Sequence, residues 1–176
     1  DVIRQDELEH QYPAPFVLGY FVNIHNIEQI PWESTVEFAR ARGDDLLAVP
    51  MQGAELVIPK EHTYAPSPSE WMNAFHKASC VVTNSYHGAL FAIIMKKPFL
   101  VFLQDGLGSH QNGRFTSALK PLGLEDRVLT PGIWRDITPI ELENRMATPI
   151  DYDKVATRIN KWRKFSEDYL DSALKK

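Results

Sequence analysis

Asn84-Ser85-Tyr86-His87-Gly88 is the densest group of chemistry-bearing residues in the chain. It follows the apolar run Cys80-Val81-Val82-Thr83 and precedes Ala89 to Lys97, which is apolar on nearly every face until Lys96 and Lys97. An apolar extended run, a polar turn and an apolar helix in that order put the turn at the carboxyl end of a buried strand. In an open parallel sheet ligands bind there, because the N–H groups of the following helix point outward. Asn84 or Ser85 can cap that helix, Gly88 lets the backbone come close to a ligand, and His87 falls in the first turn near the positive end of the dipole. A plainer reading stays open on composition alone: an N-cap and a first-turn histidine packed under a loop.

Asn112-Gly113-Arg114 is the second group. Asn-Gly signals a turn, and an arginine directly after it can reach into a cleft. A guanidinium fork suits carboxylate and phosphate. The competing reading is a surface arginine paired with Asp105 or Glu125, which would contribute little. The six histidines form no H-x-H or HExxH, so a metal site is not expected. Neither G-x-G-x-x-G nor a Walker A sequence occurs, which argues against dinucleotide or P-loop chemistry. Cys80 lies inside an apolar run and reads as a small core residue.

The elements around these groups alternate. Pro13 and Pro15 precede a strand at Phe16 to Val22; Ile30 to Arg42 is helical and closed by Gly43. Leu46 to Val49 is a strand stopped by Pro50, and Glu55 to Ile58 another, stopped by Pro59. Ser67-Pro68-Ser69-Glu70 is a capping box opening a helix that runs to about Ala78. After Pro98, Phe99 to Phe102 is a strand, Gln104 to Gly113 a Gly-rich polar loop, and Phe115 to Leu119 a short helix broken by Pro121 and Gly123. Residues 128–148 read as irregular. Asp151 to Leu174 is a long amphipathic helix with Val155, Ile159, Trp162, Ser166, Tyr169, Leu170 and Ala173 facing inward. Trp71, Phe75 and Trp162 are expected as core anchors. Strands apolar throughout, alternating with helices, predict an α/β fold: a parallel sheet covered on both faces, with Cys80 to Thr83 central.

The stretch Ala78 to Leu100, A-S-C-V-V-T-N-S-Y-H-G-A-L-F-A-I-I-M-K-K-P-F-L, closely resembles the polysaccharide pyruvyl transferase family. That family's hallmark is an apolar strand, a T-D-S-F-H-G-like turn, an apolar helix and a Lys-Pro-Phe entry to the next strand. Asn112-Gly113-Arg114, the Leu119 to Arg127 segment, Ser166 to Leu170 and the strand at Pro15 to Val22 are similar to further family segments. The turn departs from the pattern in three places. Asn84 stands where Asp is common, Tyr86 where Phe is common, and Ser85 where distant members often carry Arg, which moves the weight of anion binding to Arg114. Members resemble two-lobed GT-B glycosyltransferases, so the resemblance implies that residues 15–176 are a C-terminal Rossmann-like lobe. Residues 1–14 would be a linker or the remnant of an upstream lobe; the chain opens on Asp.

The resemblance implies transfer of a pyruvyl (carboxyvinyl) group from phosphoenolpyruvate, the donor substrate, to sugar hydroxyls, forming a pyruvate ketal without a cofactor or metal. His87 would be the general acid or a hydrogen-bond donor to the leaving phosphate. Asn84, Ser85, Tyr86, Gly88, Asn112 and Arg114 would bind substrate. The implied partners are a saccharide acceptor, in one form lipid-linked, and an upstream N-terminal lobe, without which this chain is expected to be inactive. Two other readings stay open: a GT-B-like lobe that binds a nucleotide sugar, and a non-catalytic binding lobe.

Composition is compatible with these expectations. The 176 residues carry 44% hydrophobic side chains and a net charge of −4 with no basic run, so no nucleic-acid footprint is present. One cysteine excludes an internal disulfide framework and makes a reducing compartment the default. No apolar run reaches the length of a membrane span. The expected location is cytoplasmic, including the inner face of a membrane.

Overall fold

The computed structural model describes residue 12, residues 15–51 and residues 53–174. The linker expected at 1–14 lies outside the described residues except for Tyr12, whose ring stacks on Phe16 at 5.3 Å and whose hydroxyl donates to the Glu70 carbonyl at 2.8 Å.

Five strands form one parallel sheet: β1 (Phe16–Val22), β2 (Asp45–Met51), β3 (Cys80–Thr83), β4 (Phe99–Phe102) and β5 (Val128–Leu129). Their order is β2-β1-β3-β4-β5, so β3 is central as its composition predicts. The order reverses between β1 and β3, since β1 connects outward to β2 and β3 outward to β4. In a doubly wound sheet that reversal opens a crevice at the carboxyl ends of the two strands.

The helices are α1 (Trp32–Arg42), α2 (Pro68–Lys77), α3 (Tyr86–Ile94), α4 (Gly113–Leu122), α5 (Pro131–Trp134), α6 (Pro139–Ala147) and α7 (Tyr152–Leu174). Side chains alternate between two cores along each strand. Val17, Phe21, Cys80, Val82, Leu100 and Phe102 enter one core with Trp32, Phe38, Trp134 and Leu142 from α1, α5 and α6. Phe16, Leu18, Val81, Phe99 and Val101 enter the other with Phe75, Ala89, Leu119 and Val155 from α2, α3, α4 and α7. Both faces are covered, which is why the strands read as continuous apolar runs.

Local signals hold where they are self-contained. Ser67 Oγ accepts from the Glu70 N–H while Glu70 Oε2 accepts from the Ser67 N–H, closing the capping box of α2. Gly43 ends α1 at φ 75°.

Several expectations are corrected. Pro50 does not stop β2; it pairs in register with Phe21. Among the described strands β2 pairs only with β1, and an edge strand tolerates a residue without an N–H. Residues 55–58 are not a strand, for Ala54–Leu56 is a 3₁₀ turn with Ala54 and Ile58 buried. The helix expected from Ala89 to Lys97 begins at Tyr86 and ends at Ile94; Lys96 has a left-handed φ of 53° and turns the chain toward Pro98. The polar loop contains a 3₁₀ segment, Gly106–Gln111. Pro121 does not break α4 but sits in its last turn, and Gly123 closes it at φ 67°.

Residues 128–148 are not irregular. They hold β5, α5 and α6, the last opened by a Thr138–Glu141 capping box with Pro139 at N1. Arg127, 1% exposed, donates to the Arg145 carbonyl at 3.0 Å and the Thr148 carbonyl at 2.6 Å, binding the end of α6. The inner stripe of α7 is buried only at its start. Val155 is 3% exposed, but Trp162 is 50%, Tyr169 67% and Leu170 56% exposed, so Trp162 is not a core anchor. Phe75 is one, and Trp71 packs on it edge-to-face at 4.9 Å.

Candidate functional site

The crevice at the reversal is a cavity of about 260 Å3. It is lined from β1 by Tyr20 and Val22, and from the turn after β3 by Asn84, Ser85, Tyr86 and His87. Across from them stand Gln104, Gln111, Asn112 and Arg114. Six of the seven site residues expected from sequence therefore share one cavity; the seventh, Gly88, does not line it.

Each residue has a distinct physical reason to be there. Asn84 is 4% exposed and grips the end of β1 with both halves of its amide. Its Oδ1 accepts from the Val22 N–H and its Nδ2 donates to the Val22 carbonyl, both at 2.8 Å. Asn84 is thus not the cap; its amide is the clamp that fixes the two strand ends side by side. Ser85 is the N-cap, its Oγ accepting from the Gly88 N–H at 3.4 Å. The Ser85 N–H donates to Thr83 Oγ1 at 3.0 Å, and Thr83 Oγ1 donates to the Tyr20 carbonyl at 2.5 Å. With those groups satisfied, the N–H groups of Tyr86 and His87 in the first turn of α3 have no acceptor within the helix.

Gly88 serves packing, not close approach of a ligand. A Cβ there would lie 2.9 Å from Tyr20 Cδ1 and closer still to Thr83 Oγ1. The missing side chain lets α3 sit tightly on β1 and β3. Burial raises the Tyr20 phenol above its ordinary value, and its hydrogen bond with Ser85 partly offsets the rise. The hydroxyl is therefore neutral and can donate.

His87 is exposed at the mouth of the cavity, its ring edge-to-face with Tyr86 at 5.9 Å. The Arg114 guanidinium stands over the same Tyr86 ring, 5.5 Å from its centroid. It donates to Gln111 Oε1 and pairs with neither Asp105 nor Glu125; Asp105 belongs to Arg135. Tyr86 also packs edge-to-face on Phe115 at 6.0 Å, which locks it between α3 and α4. Asn112 Nδ2 donates to the Gln104 carbonyl at 2.8 Å, and Gln104 Nε2 donates to the Val22 carbonyl at 3.0 Å. The Gly-rich loop is thereby laced to the clamp at the end of β1.

Sequence reasoning missed Tyr20 and Gln104. Tyr20 lies near the carboxyl end of β1 and Gln104 just past that of β4, and only the strand order brings those positions to one cavity. Among the described residues no cluster of three His, Cys, Asp or Glu is placed to hold a metal ion. None of the described helices is long and apolar enough to cross a membrane.

A doubly wound parallel sheet with a cationic, donor-rich crevice at its reversal is a Rossmann-like lobe of the GT-B-like kind. The chain belongs to the polysaccharide pyruvyl transferase family, whose sequence model matches residues 18–106. That match runs from within β1 through β4, takes in the whole Asn84–Gly88 turn, and stops before Asn112 and Arg114. Among solved structures, the glycotransferase of kitacinnamycin is similar in fold with a TM-score of 0.54 at 14% identity. The superposition covers 93% of this chain and 44% of that one, so this chain spans less than half the length of that protein. No curated protein sequence matches.

Proposed function

We propose that this lobe carries the donor site of a transferase that moves the carboxyvinyl group of phosphoenolpyruvate onto two hydroxyls of a saccharide. The observation that carries the reading is the convergence of His87, the open first turn of α3 and Arg114 on one cavity. Phosphoenolpyruvate bears a phosphate and a carboxylate. A helix N-terminus is suited to one anion and an arginine fork to the other.

In this mechanism His87 delivers a proton to the methylene carbon, leaving a cationic centre at the carbon that bears the phosphate ester. One sugar hydroxyl adds to that carbon and gives up its proton. A second displaces phosphate, breaking the carbon–oxygen bond; its proton leaves with the phosphate, the first hydroxyl's proton returns to His87, and the product is a cyclic ketal of pyruvate plus inorganic phosphate. The α3 N-terminus stabilises the charge that gathers on the departing phosphate, while Arg114 holds the carboxylate alike before and during the reaction. Tyr20, neutral and half-buried, donates a further hydrogen bond from the floor. The rest of the cleft and the opposing wall belong in this reading to an upstream lobe, so the chain alone binds phosphoenolpyruvate weakly and turns nothing over.

The test is an assay of the full-length protein with phosphoenolpyruvate and a panel of oligosaccharides, read by phosphate release and product mass. Phosphate release coupled to a product heavier by one ketal-linked pyruvate is the expected result. Glycosyl transfer from a nucleotide sugar, with phosphoenolpyruvate inert, would overturn the reading.

A further inference from the structure

Arg114 brings a full positive charge to the His87 cavity, and nothing it touches cancels that charge. Its contacts are the Tyr86 ring and Gln111 Oε1, both uncharged, and among the described residues it forms no ion pair. A carboxylate nevertheless stands in the same loop. Asp105 lines an adjoining cavity of about 550 Å3 that shares Asn23, Gln104 and Gln111 with the His87 cavity. Of the residues lining the two cavities, Asp105 is the one acid. His25, His110 and Arg135 line the adjoining cavity too, and it is the Arg135 guanidinium that meets Asp105 Oδ2. The other oxygen, Oδ1, accepts from the Gly106 N–H at 2.7 Å. Both oxygens of Asp105 are therefore engaged away from Arg114.

Arg135 reaches Asp105 because of the residue before it. Trp134 is 2% exposed, and its indole N–H donates to the Leu103 carbonyl at 2.9 Å. That bond ties the end of α5 to the chain just past β4, two residues before Asp105. The Arg135 guanidinium lies over the Trp134 ring, 5.9 Å from its centroid. A cation is thus held at the start of the loop that runs from Asp105 to Arg114. Both members of the pair are half exposed, and such a pair adds little to stability. Its consequence is for the next charge along. An unpaired Asp105 would compete for the Arg114 fork and repel an anion approaching it. Paired with Arg135, it does neither.

We infer that Arg135 is a positioning residue that sets anion affinity: it sequesters Asp105 and so leaves the Arg114 fork open for a substrate carboxylate. Arg135 touches no substrate in this scheme and acts through Asp105. The inference rests on the proposed donor site for the identity of the anion; the arrangement of charges comes from the loop and α5 themselves.

The test titrates the full-length protein by calorimetry with phosphoenolpyruvate and, separately, with inorganic phosphate, which an arginine fork also accepts. Arg135→Gln should weaken phosphoenolpyruvate binding about three- to fivefold at low salt, the scale of one exposed ion pair. In about 1 M salt, where the Debye length is about 3 Å, the difference should vanish. Arg135→Lys keeps a cation and should stay within about twofold of the parent. Asp105→Asn keeps an oxygen for the Gly106 N–H and should also stay within about twofold. Adding Asp105→Asn to Arg135→Gln should restore parental affinity, with KM following affinity and kcat unchanged throughout. Unchanged affinity in Arg135→Gln overturns the inference. So does a double variant as weak as Arg135→Gln, which would make Arg135 a direct ligand. Asp105→Asn alone as weak as Arg135→Gln overturns it as well, since the pair would then merely hold the loop. In each of these cases phosphoenolpyruvate binding by the parent leaves the transferase reading standing. The same loss and recovery seen with inorganic phosphate, in a protein that does not bind phosphoenolpyruvate, keeps the role of Arg135 and removes the donor assignment. Binding of neither anion overturns both.

Discussion

Replacing Asn84 tests whether the crevice is built by a side-chain clamp. The Asn84 amide makes two hydrogen bonds of 2.8 Å to the backbone of Val22 from a site only 4% exposed. In Asn84→Ala both are lost. The Val22 carbonyl keeps the Gln104 Nε2 donor, so the Val22 N–H is the group left without its partner. Two net hydrogen bonds at about 1 kcal/mol each, plus part of the cost of an orphaned buried N–H, amount to roughly 2–3 kcal/mol. For a chain of this size that lowers Tm by about 4–12 °C.

Asn84→Asp separates the two halves of the clamp. The carboxylate still accepts from the Val22 N–H, but its second oxygen now faces the Val22 carbonyl. At neutral pH it should therefore be at least as destabilising as Ala. Repulsion raises the carboxyl pKa in the folded state above the ordinary value of about 3.9. A raised folded pKa means the variant is most stable below the unfolded value, where the protonated acid donates to the carbonyl, and loses stability as pH rises through the folded value. Urea unfolding followed by circular dichroism between pH 4 and 8 reads both effects. A loss under about 0.5 kcal/mol in Asn84→Ala, or no pH dependence distinguishing Asn84→Asp from the parent, would refute the clamp.

In the full-length enzyme His87→Ala should lower kcat by roughly two to four orders of magnitude with the melting temperature unchanged, since His87 is exposed and its loss opens no core cavity. His87→Gln distinguishes its two roles: a rate as poor as Ala means proton donation, and substantial recovery means hydrogen bonding to phosphate. Arg114→Lys should raise KM for phosphoenolpyruvate by about tenfold with kcat little changed, because a point charge replaces a fork that also stands over Tyr86; steady-state kinetics over a range of donor concentrations check this. Burial pushes the Cys80 thiol from its ordinary 9.0 up to about 12. Its stabilising contribution is complete below pH 9 and falls as pH rises toward 12, because the unfolded thiol ionises first. An aromatic disulfide reagent at pH 8 should leave the native thiol unlabelled and react fully in urea.

Some of this protein was decided within short stretches of its sequence. The strands Phe16–Val22, Cys80–Thr83 and Phe99–Phe102 stand where their apolar runs end, since a strand buried on both faces requires nothing but apolar side chains. The Ser67 cap and the Gly43 stop needed only residues within four positions of one another. The Thr138-Pro139-Ile140-Glu141 box carries the same pattern as Ser67-Pro68-Ser69-Glu70, and reading it the same way would have found α6.

The nature of the site groups was also local. A polar turn with a histidine between an apolar strand and an apolar helix marks a helix N-terminus whatever the rest of the fold. Their partnerships were not. Pro50 survives in a strand because β2 lies at the edge, and strand order is a property of the whole sheet. Asn84 became a clamp because β1 lies beside β3, 62 residues away in sequence; Tyr20 joined the cavity for the same reason, and Gln104 because β4 lies on the other side of β3. Trp162 and Tyr169 show the converse. Their spacing fixes an apolar stripe on α7, but burial depends on what another element puts against it, and beyond Val155 the stripe stays largely exposed. Periodicity acts through neighbours a turn apart, whereas cavities and burial arise where distant segments meet, and that meeting belongs to the tertiary fold.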